Sequence, residues 1–326
     1  MEDTIMKKES TSFEKNDKKE VLKEMTEQLE KSIHDFMNGE KYKNFLTQMS
    51  KFHSYSLSNQ LLIAMQRPDA TLCASYSGWK NQERQVKKGE KGIKIICPAP
   101  YKKEKIKDVV DPKTGKPVLL PDGNVKREIV EVVIPHFKIG YTFDISQTEG
   151  KPLVQLSQQL TGELTDSQKE LKEALLQVCP VPVSFRPIEG SANGFYSLDK
   201  NEITVDSTIS EKQSLKTLIH ELAHATIHNV NIPDVPKDSP TREVQAESIA
   251  YVICEYFGMD VSEYSFGYIA GWSTGKDIKE LKQSLEIIHN TSNDIISKVE
   301  QTLSQTKSAK QTISETVQSK HKGRCL

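Results

Sequence analysis

Leu22, Met25, Leu29, Ile33 and Phe36 recur at spacings of three and four with charged residues between them. That period predicts an amphipathic helix, ended by Asn38-Gly39. Ser58 to Gln66 reads as a second helix, stopped at Arg67-Pro68, and a short polar helix is expected after Trp79-Lys80. Lys88-Gly89-Glu90-Lys91-Gly92 is a turn, followed by a strand at Ile93–Cys97. Residues 101–128 form a charged insertion with turn signals at Asp111-Pro112 and Asp122-Gly123. Ile129–Ile134 and Phe137–Phe143 alternate and are rich in β-branched and aromatic residues, the pattern of two further strands. In the second half, a helix over Asp166–Val178 precedes extended stretches at Val181–Phe185, Gly194–Leu198 and Ile203–Val205. Two long helices, about residues 211–229 and 241–257, flank the Pro-rich loop Asn231–Pro240, and Leu281 to Leu303 marks a last amphipathic helix.

Helices clustered around small antiparallel strands predict an α+β fold. The expected division is a disordered segment at 1–17, a first domain at 18–147, a linker at 148–153, a second domain at 154–305 and a flexible tail at 306–326. Composition narrows the setting. No apolar run reaches the roughly 18 residues of a membrane-spanning helix, and the first twenty residues lack the apolar stretch of a secretory signal. Five scattered cysteines without a CxxC pair suit a reducing, cytoplasmic compartment. The net charge of −1 conceals a split: residues 51–152 carry 18 Lys+Arg against 11 Asp+Glu, and residues 153–305 carry 12 against 22. A polyanion is the natural partner of the first part.

His220-Glu221-Leu222-Ala223-His224 is an HExxH sequence on a helix whose buried stripe is Leu215, Leu218, Ile219 and Leu222. His220 and His224 lie one turn apart and point the same way, so they can share one Zn²⁺ while Glu221 reaches a water on the metal. His228 continues the series but is two turns from His220, too far along a rigid helix to join the same ion. Glu243 and Glu247, one turn apart on the next helix, supply the missing chemistry. One can ligate the metal while the other accepts the second N–H of a ligating histidine; spacing alone does not order them.

This half resembles the gluzincin metallopeptidases, in which HExxH is followed some twenty residues on by Glu-x-x-x-Asp/Glu. The resemblance implies a zincin-like metallopeptidase domain, with His220, His224 and Glu243 as metal ligands, Glu247 as the supporting acid and Glu221 as catalytic base. It also implies that Gly194-Phe195-Tyr196-Ser197, with Ile203-Thr204-Val205, binds a peptide as an added strand. The oxyanion partner is not assigned, with Tyr251 and Tyr268 as candidates.

Between Lys80 and Lys107 stand ten Lys/Arg and three acids, with Tyr76, Trp79 and Tyr101 interleaved and Phe137 and Tyr141 on later strands. Cations that follow phosphates and rings on which bases stack are the requirements of sequence-independent single-strand binding. Tyr76, Trp79, Lys80, Arg84, Lys87, Lys88, Lys91 and Lys94 are the expected contacts. Residues 53–98, through Tyr55-Ser56-Leu57-Ser58-Asn59, Trp79-Lys80 and Val86-Lys87-Lys88-Gly89-Glu90-Lys91-Gly92, resemble the N-terminal domain of the anti-restriction protein ArdC and its LtrC-like relatives. Where those relatives often carry a Gly before Arg-Gln-Val, this chain has Asn81-Gln82-Glu83-Arg84.

That resemblance implies a single-stranded-DNA-binding domain joined to a zinc metallopeptidase-like domain, carried by a mobile element and protecting transferred DNA. Two other readings stay open: an active zinc protease brought by DNA to a protein substrate such as a repressor or nuclease, and a DNA-binding module with a purely structural zinc.

Overall fold

Helix α1 (20–36) buries Met25, Leu29 and Ile33, the stripe its spacing predicts. The computed structural model describes residues 20–152, 164–229, 231–232 and 235–322, with side chains as far as Ser308. The segment expected to be disordered, 1–17, and the start of the second domain, 154–163, lie outside the described residues.

A helix that the sequence reading did not expect follows at once. α2 (Gly39–Lys51) buries Tyr42, Phe45, Leu46 and Met49, again at helical spacing. Gly39 does not end α1 so much as let α2 begin in a tight place: a Cβ there would stand 3.1 Å from the Phe266 carbonyl oxygen. α3 (Leu57–Gln66) starts at Ser56, whose side chain accepts from the Asn59 N–H. α4 (Tyr76–Asn81) begins earlier than expected, with Ser75 as its cap, and therefore contains Trp79.

β3 (Ile93–Pro98) pairs antiparallel with β6 (Phe137–Asp144), which also takes β1 (Cys73–Ala74) on its other side. The charged insertion is a hairpin of β4 (Tyr101–Asp108) and β5 (Arg127–Ile134). Two residues per strand beyond β3 and β6, it is exposed along the whole of β4. β2 (Arg84–Val86) pairs with β7 (Thr148–Gly150), so the expected linker begins as a strand. Arg84 holds it there. Its guanidinium donates to Thr148 Oγ1 at 2.9 Å, to the Thr148 carbonyl at 3.2 Å and to the Lys151 carbonyl at 2.5 Å. Glu83 has φ +58°, the left-handed region that glycine enters without steric cost.

In the second half α5 (Asp166–Val178) opens with a Thr165/Gln168 capping box. β8 (Val183–Arg186), β10 (Glu202–Asp206) and β9 (Gly194–Ser197) form a small mixed sheet with β10 central and β9 at its edge. α6 (Glu211–Ile227) and α7 (Ser239–Tyr256) then pack against each other, with the short α8 (Ile269–Ser273) and the long α9 (Ile278–Lys322) following.

The tail expected to be flexible from 306 is helical to Lys322. No Gly or Pro occurs between Lys276 and Lys322, and Gly323 comes immediately after. Nothing in that stretch breaks the helix, although its end has no core-forming pattern.

One apolar core runs through both halves. Leu29, Tyr42, Leu46 and Leu61 belong to the same cluster as Leu218, Ile249, Tyr251 and Ile288. A smaller cluster of Phe52, Ile63, Ile93 and Ile95 lies under the β3–β6 pair. No helix among the described residues is long and apolar enough to cross a membrane.

Candidate metal centre and nucleic-acid face

α6 and α7 bring three donor atoms together. His220 Nε2 lies 3.1 Å from His224 Nε2, and Glu243 Oε2 stands 3.5 Å from the first and 3.6 Å from the second. Ligands about 2.1 Å from a tetrahedral Zn²⁺ lie about 3.4 Å apart, so the three atoms already have the edge lengths of such a site. Glu243 is half exposed, leaving a fourth direction open to solvent.

The same crowding sets the charges. Burial alone would lower the His220 pKa, but the hydrogen bond to Glu243 and the charges of Glu221, Glu243 and Glu247 outweigh it and the value rises. The nearness of the His220 and His224 rings, 3.5 and 3.6 Å from its Oε2, holds the Glu243 carboxyl far below the usual carboxylate range. Burial raises the Glu221 pKa, against the pull of His220 and His224 and a backbone N–H from Tyr196.

Sequence reasoning missed the support behind His224. Its Nδ1 faces His228 Nδ1 at 2.9 Å, His228 Nε2 faces Gln245 Oε1 at 3.0 Å, and Gln245 Nε2 donates to Ser284 Oγ on α9 at 3.2 Å. The direction of the chain follows from its inner end. With its amide nitrogen donating to Ser284, Gln245 presents an acceptor to His228, which must carry its hydrogen on Nε2. His228 Nδ1 then accepts from His224 Nδ1–H, and the lone pair of His224 Nε2 is left facing the metal position. His228 is 4% exposed, and burial lowers its pKa to about 4, so it is neutral as the chain requires. The i+4 spacing after His224 was the available signal; excluding His228 as a ligand concealed its role behind one.

Among the described residues Glu247 makes no hydrogen bond to a histidine, the role the resemblance implied for it. It accepts from the Tyr268 hydroxyl. Tyr268 is partly exposed, whereas Tyr251 is 2% exposed with its hydroxyl 2.8 Å from Thr47 Oγ1, which removes Tyr251 as an oxyanion partner. A cleft of about 420 Å³ opens beside the centre, bounded by Gly194, Thr217, His220, Glu221, Glu247 and Tyr264. Gly194 is required there: a Cβ would come within 2.5 Å of Thr217 Cγ2 and 3.0 Å of the Thr204 carbonyl oxygen.

In the basic half the expected contacts separate into three groups. Trp79 is 0% exposed and its Nε1 donates to the Phe143 carbonyl at 2.8 Å, so it has no face to offer a base and serves as core. Arg84 is spent on β7, its Cζ also 5.9 Å from the Trp79 ring. Lys87 is tethered to the Ser146 carbonyl at 3.0 Å. Tyr76, Lys80, Lys88, Lys91 and Lys94 are exposed. Tyr76, 55% exposed, packs edge-on against Phe143 at 6.5 Å. Phe143, Tyr141 and Phe137 share one face of β6 by the strand's two-residue period, and Lys94 is the cross-strand partner of Tyr141. The aromatic face is therefore built on β6, with Tyr141 at 54% and Phe137 at 51% exposure taking the place expected of Trp79.

Fold and site together define a mixed α/β protein whose HExxH helix is completed by a glutamate from the next helix. Residues 15–143 match the family of the N-terminal domain of anti-restriction factor ArdC, so this part of the chain is similar to that domain. An uncharacterized protein of Bacillus anthracis, pXO2-81, is 31% identical over 93% of this chain. The chain spans only 55% of that relative's length. Among solved structures, the metal-free crystal structure of antirestriction protein ArdC from plasmid R388 is similar at 18% identity and a TM-score of 0.46, over 77% of this chain and 86% of that one. The Mn(II)-bound structure of the same protein gives 17% identity and 0.43, over 76% and 85%.

Proposed function

We propose that this chain is a single-stranded-DNA-binding zinc metalloprotein that shields transferred DNA from restriction. The observation that carries the metal reading is the tetrahedral spacing of His220, His224 and Glu243. The ArdC-type N-terminal domain and the exposed β6 aromatics among lysines support the DNA reading. Two imidazoles and a carboxylate suit zinc among the common divalent ions, and the Mn(II) form of R388 ArdC makes manganese the comparison to run.

A second reading, that the centre also hydrolyses peptides, is favoured by Glu221. A purely structural site has no use for a buried carboxylate beside the donors. When bound, zinc supplies Lewis acidity and brings the pKa of a bound water toward about 7. Glu221 is placed to receive a proton and pass it to a leaving amine, its raised pKa making it a better base than an ordinary carboxylate. The outer edge of β9 offers a peptide a strand to pair with. Tyr268, whose hydroxyl hydrogen is held by Glu247, would have to turn that hydrogen into the cleft to serve as an oxyanion partner.

Glu221→Ala separates the readings when metal content, proteolysis and protection of transferred DNA are measured together. Metal retained with protection lost supports a catalytic role. Metal retained with protection intact refutes the protease reading, and a wild-type chain that purifies without metal and takes up none refutes the metalloprotein reading itself.

A further inference from the structure

Between β2 and β3 the chain runs beside the end of α3, and the two border a cleft of about 730 Å³. Both walls are fixed by their sequence. Pro68 keeps Arg67 out of the helical region (φ −147°, ψ 82°), so α3 ends there. On the other wall the Glu90 N–H donates to the Lys87 carbonyl at 3.3 Å, closing a turn whose third residue, Gly89, has φ +89°. Lys88 stands at the tip of that turn. Two glutamines pin the loop. Gln147 Nε2 donates to the Lys91 carbonyl at 2.9 Å, and Gln66 both accepts from the Lys94 N–H and donates to the Lys94 carbonyl, each at 2.9 Å.

The cleft carries unspent positive charge. Arg67, Lys88 and Lys91 line it against one acid, Glu90, whose Oε2 accepts from Gln147 Nε2 at 2.9 Å. Both lysines are exposed and form no ion pair among the described residues. Arg67 is underused as a donor. Of its five N–H groups, one goes to Ser146 Oγ at 3.0 Å, and its Nε, sealed from solvent, has no hydrogen-bond partner. Asp69 stands 3.7 Å from that Nε, beyond hydrogen-bonding distance. Ile93 is the one aliphatic side chain in the lining and is itself buried, so the cleft suits an anion rather than an apolar ligand. The aromatic face of β6 begins at its rim. Gly92 lies against that face, where a Cβ would stand 3.0 Å from both Tyr141 Cβ and Phe143 Cζ.

We propose that Arg67, Lys88 and Lys91 form a pocket that holds one backbone phosphate of single-stranded DNA while a neighbouring base stacks on Tyr141. The inference rests on the DNA reading above and adds Arg67, which stands outside the lysine run, to the contacts. A guanidinium with free donors takes two phosphate oxygens at once, and the two ammonium groups supply point charges beside it. The loop is already pinned by Gln147 and Gln66, so binding costs little ordering. A free nucleotide offers the same phosphate chemistry, and the experiment separates the two sources.

The test is fluorescence anisotropy of a labelled oligothymidylate across a salt series, with the full chain. The variants are Arg67→Gln, the double Lys88→Gln/Lys91→Gln and the control Lys298→Gln on α9, with thermal unfolding run on each. The double variant changes only exposed side chains, so it reports on the pocket even if Arg67→Gln fails to fold. For single strands each phosphate contact contributes about 0.7 to the slope of log K against log salt, so the double variant should flatten that slope by about 0.7. Both pocket variants should weaken low-salt binding about tenfold, and the control should bind within about twofold of wild type. A methylphosphonate oligothymidylate, whose backbone is uncharged, should not distinguish wild type from the pocket variants. Wild-type binding that is unchanged in either folded pocket variant overturns the pocket alone, as does an equal loss on the uncharged oligomer. Absence of binding by the wild type overturns the DNA reading and the backbone phosphate with it. Displacement of the oligomer by micromolar thymidine 5′-monophosphate, lost in the double variant, overturns the proposal in favour of a free-nucleotide site.

Discussion

Replacing His228 by Leu is the sharpest probe of the centre, because it leaves all three donor atoms in place and removes only what orients one of them. The side chain is buried and of similar bulk, so the perturbation is the loss of two hydrogen bonds, to His224 Nδ1 at 2.9 Å and to Gln245 Oε1 at 3.0 Å. Two consequences follow. Gln245 Oε1 and His224 Nδ1 lose their partners in a buried setting, at about 1–3 kcal/mol of folding stability for each group left unsatisfied. His224 also loses what fixes its tautomer, and outer partners of this kind are worth about 10–100-fold in metal affinity, or about 1.4–2.7 kcal/mol. The assay is competition for Zn²⁺ against a chromophoric chelator, with thermal unfolding run beside it to report the stability cost separately. His228→Gln keeps an acceptor within reach and should recover most of the affinity while His228→Leu does not. A His228→Leu chain that is folded and binds zinc within twofold of wild type refutes the relay, as does equal loss in the Leu and Gln variants.

Further outcomes follow from the same geometry. Glu243→Gln should abolish stoichiometric zinc, whereas Glu247→Gln, which disturbs the bond to Tyr268, should leave zinc bound and alter activity alone; equal zinc loss in both would contradict the assignment of Glu243 as ligand. Trp79→Ala should lower the melting temperature, costing about 3–5 kcal/mol, while Tyr141→Ala should weaken oligothymidylate binding with the melting temperature unchanged. Burial would raise the Asp144 pKa, but hydrogen bonds from Ser146, Thr71 and Leu72 outweigh it and the net shift is downward. Its contribution to stability is thus present above the unfolded value of about 3.9 and lost as pH falls through the lower folded value. Asp144→Ala should remove that acid-limb dependence in urea titrations below about pH 4, and an unchanged acid limb would refute it.

The elements that sequence reading located best are those whose pattern is decided locally. The α6 stripe and α3 follow from a period of 3.6, and the reach of Glu243 and Glu247 to α6 from spacing that a short loop can close, while the choice between those two comes from the resemblance and not from spacing. α2 was lost because Asn38-Gly39 looks like a helix stop, and the reason Gly stands there, close approach to Phe266, is a tertiary fact. Trp79 illustrates the same limit. An aromatic next to lysines is a stacking residue if exposed and a core residue if not, and only packing decides. The helical tail shows the converse: lack of an apolar pattern predicts no core contact, which is different from predicting no helix.

Charge divides the molecule where packing does not. The two halves carry opposite net charge, yet α2 lies against α7, the helix that bears Glu243 and Glu247. Tyr42 OH is 2.8 Å from Ser248 Oγ, Lys43 Nζ donates to the Tyr264 carbonyl at 3.1 Å, and Tyr264 in turn borders the cleft beside Glu221. Ser248 and Tyr251 face α2 and the core, while Glu243 faces α6, so α7 is held from both sides. A close-packed helix held this way does not deform gradually, and its position is set jointly by the first half and by the donors of the second. The separation of surfaces by charge therefore concerns what each half meets in solution. The candidate metal centre itself is built on a scaffold to which the first half contributes directly.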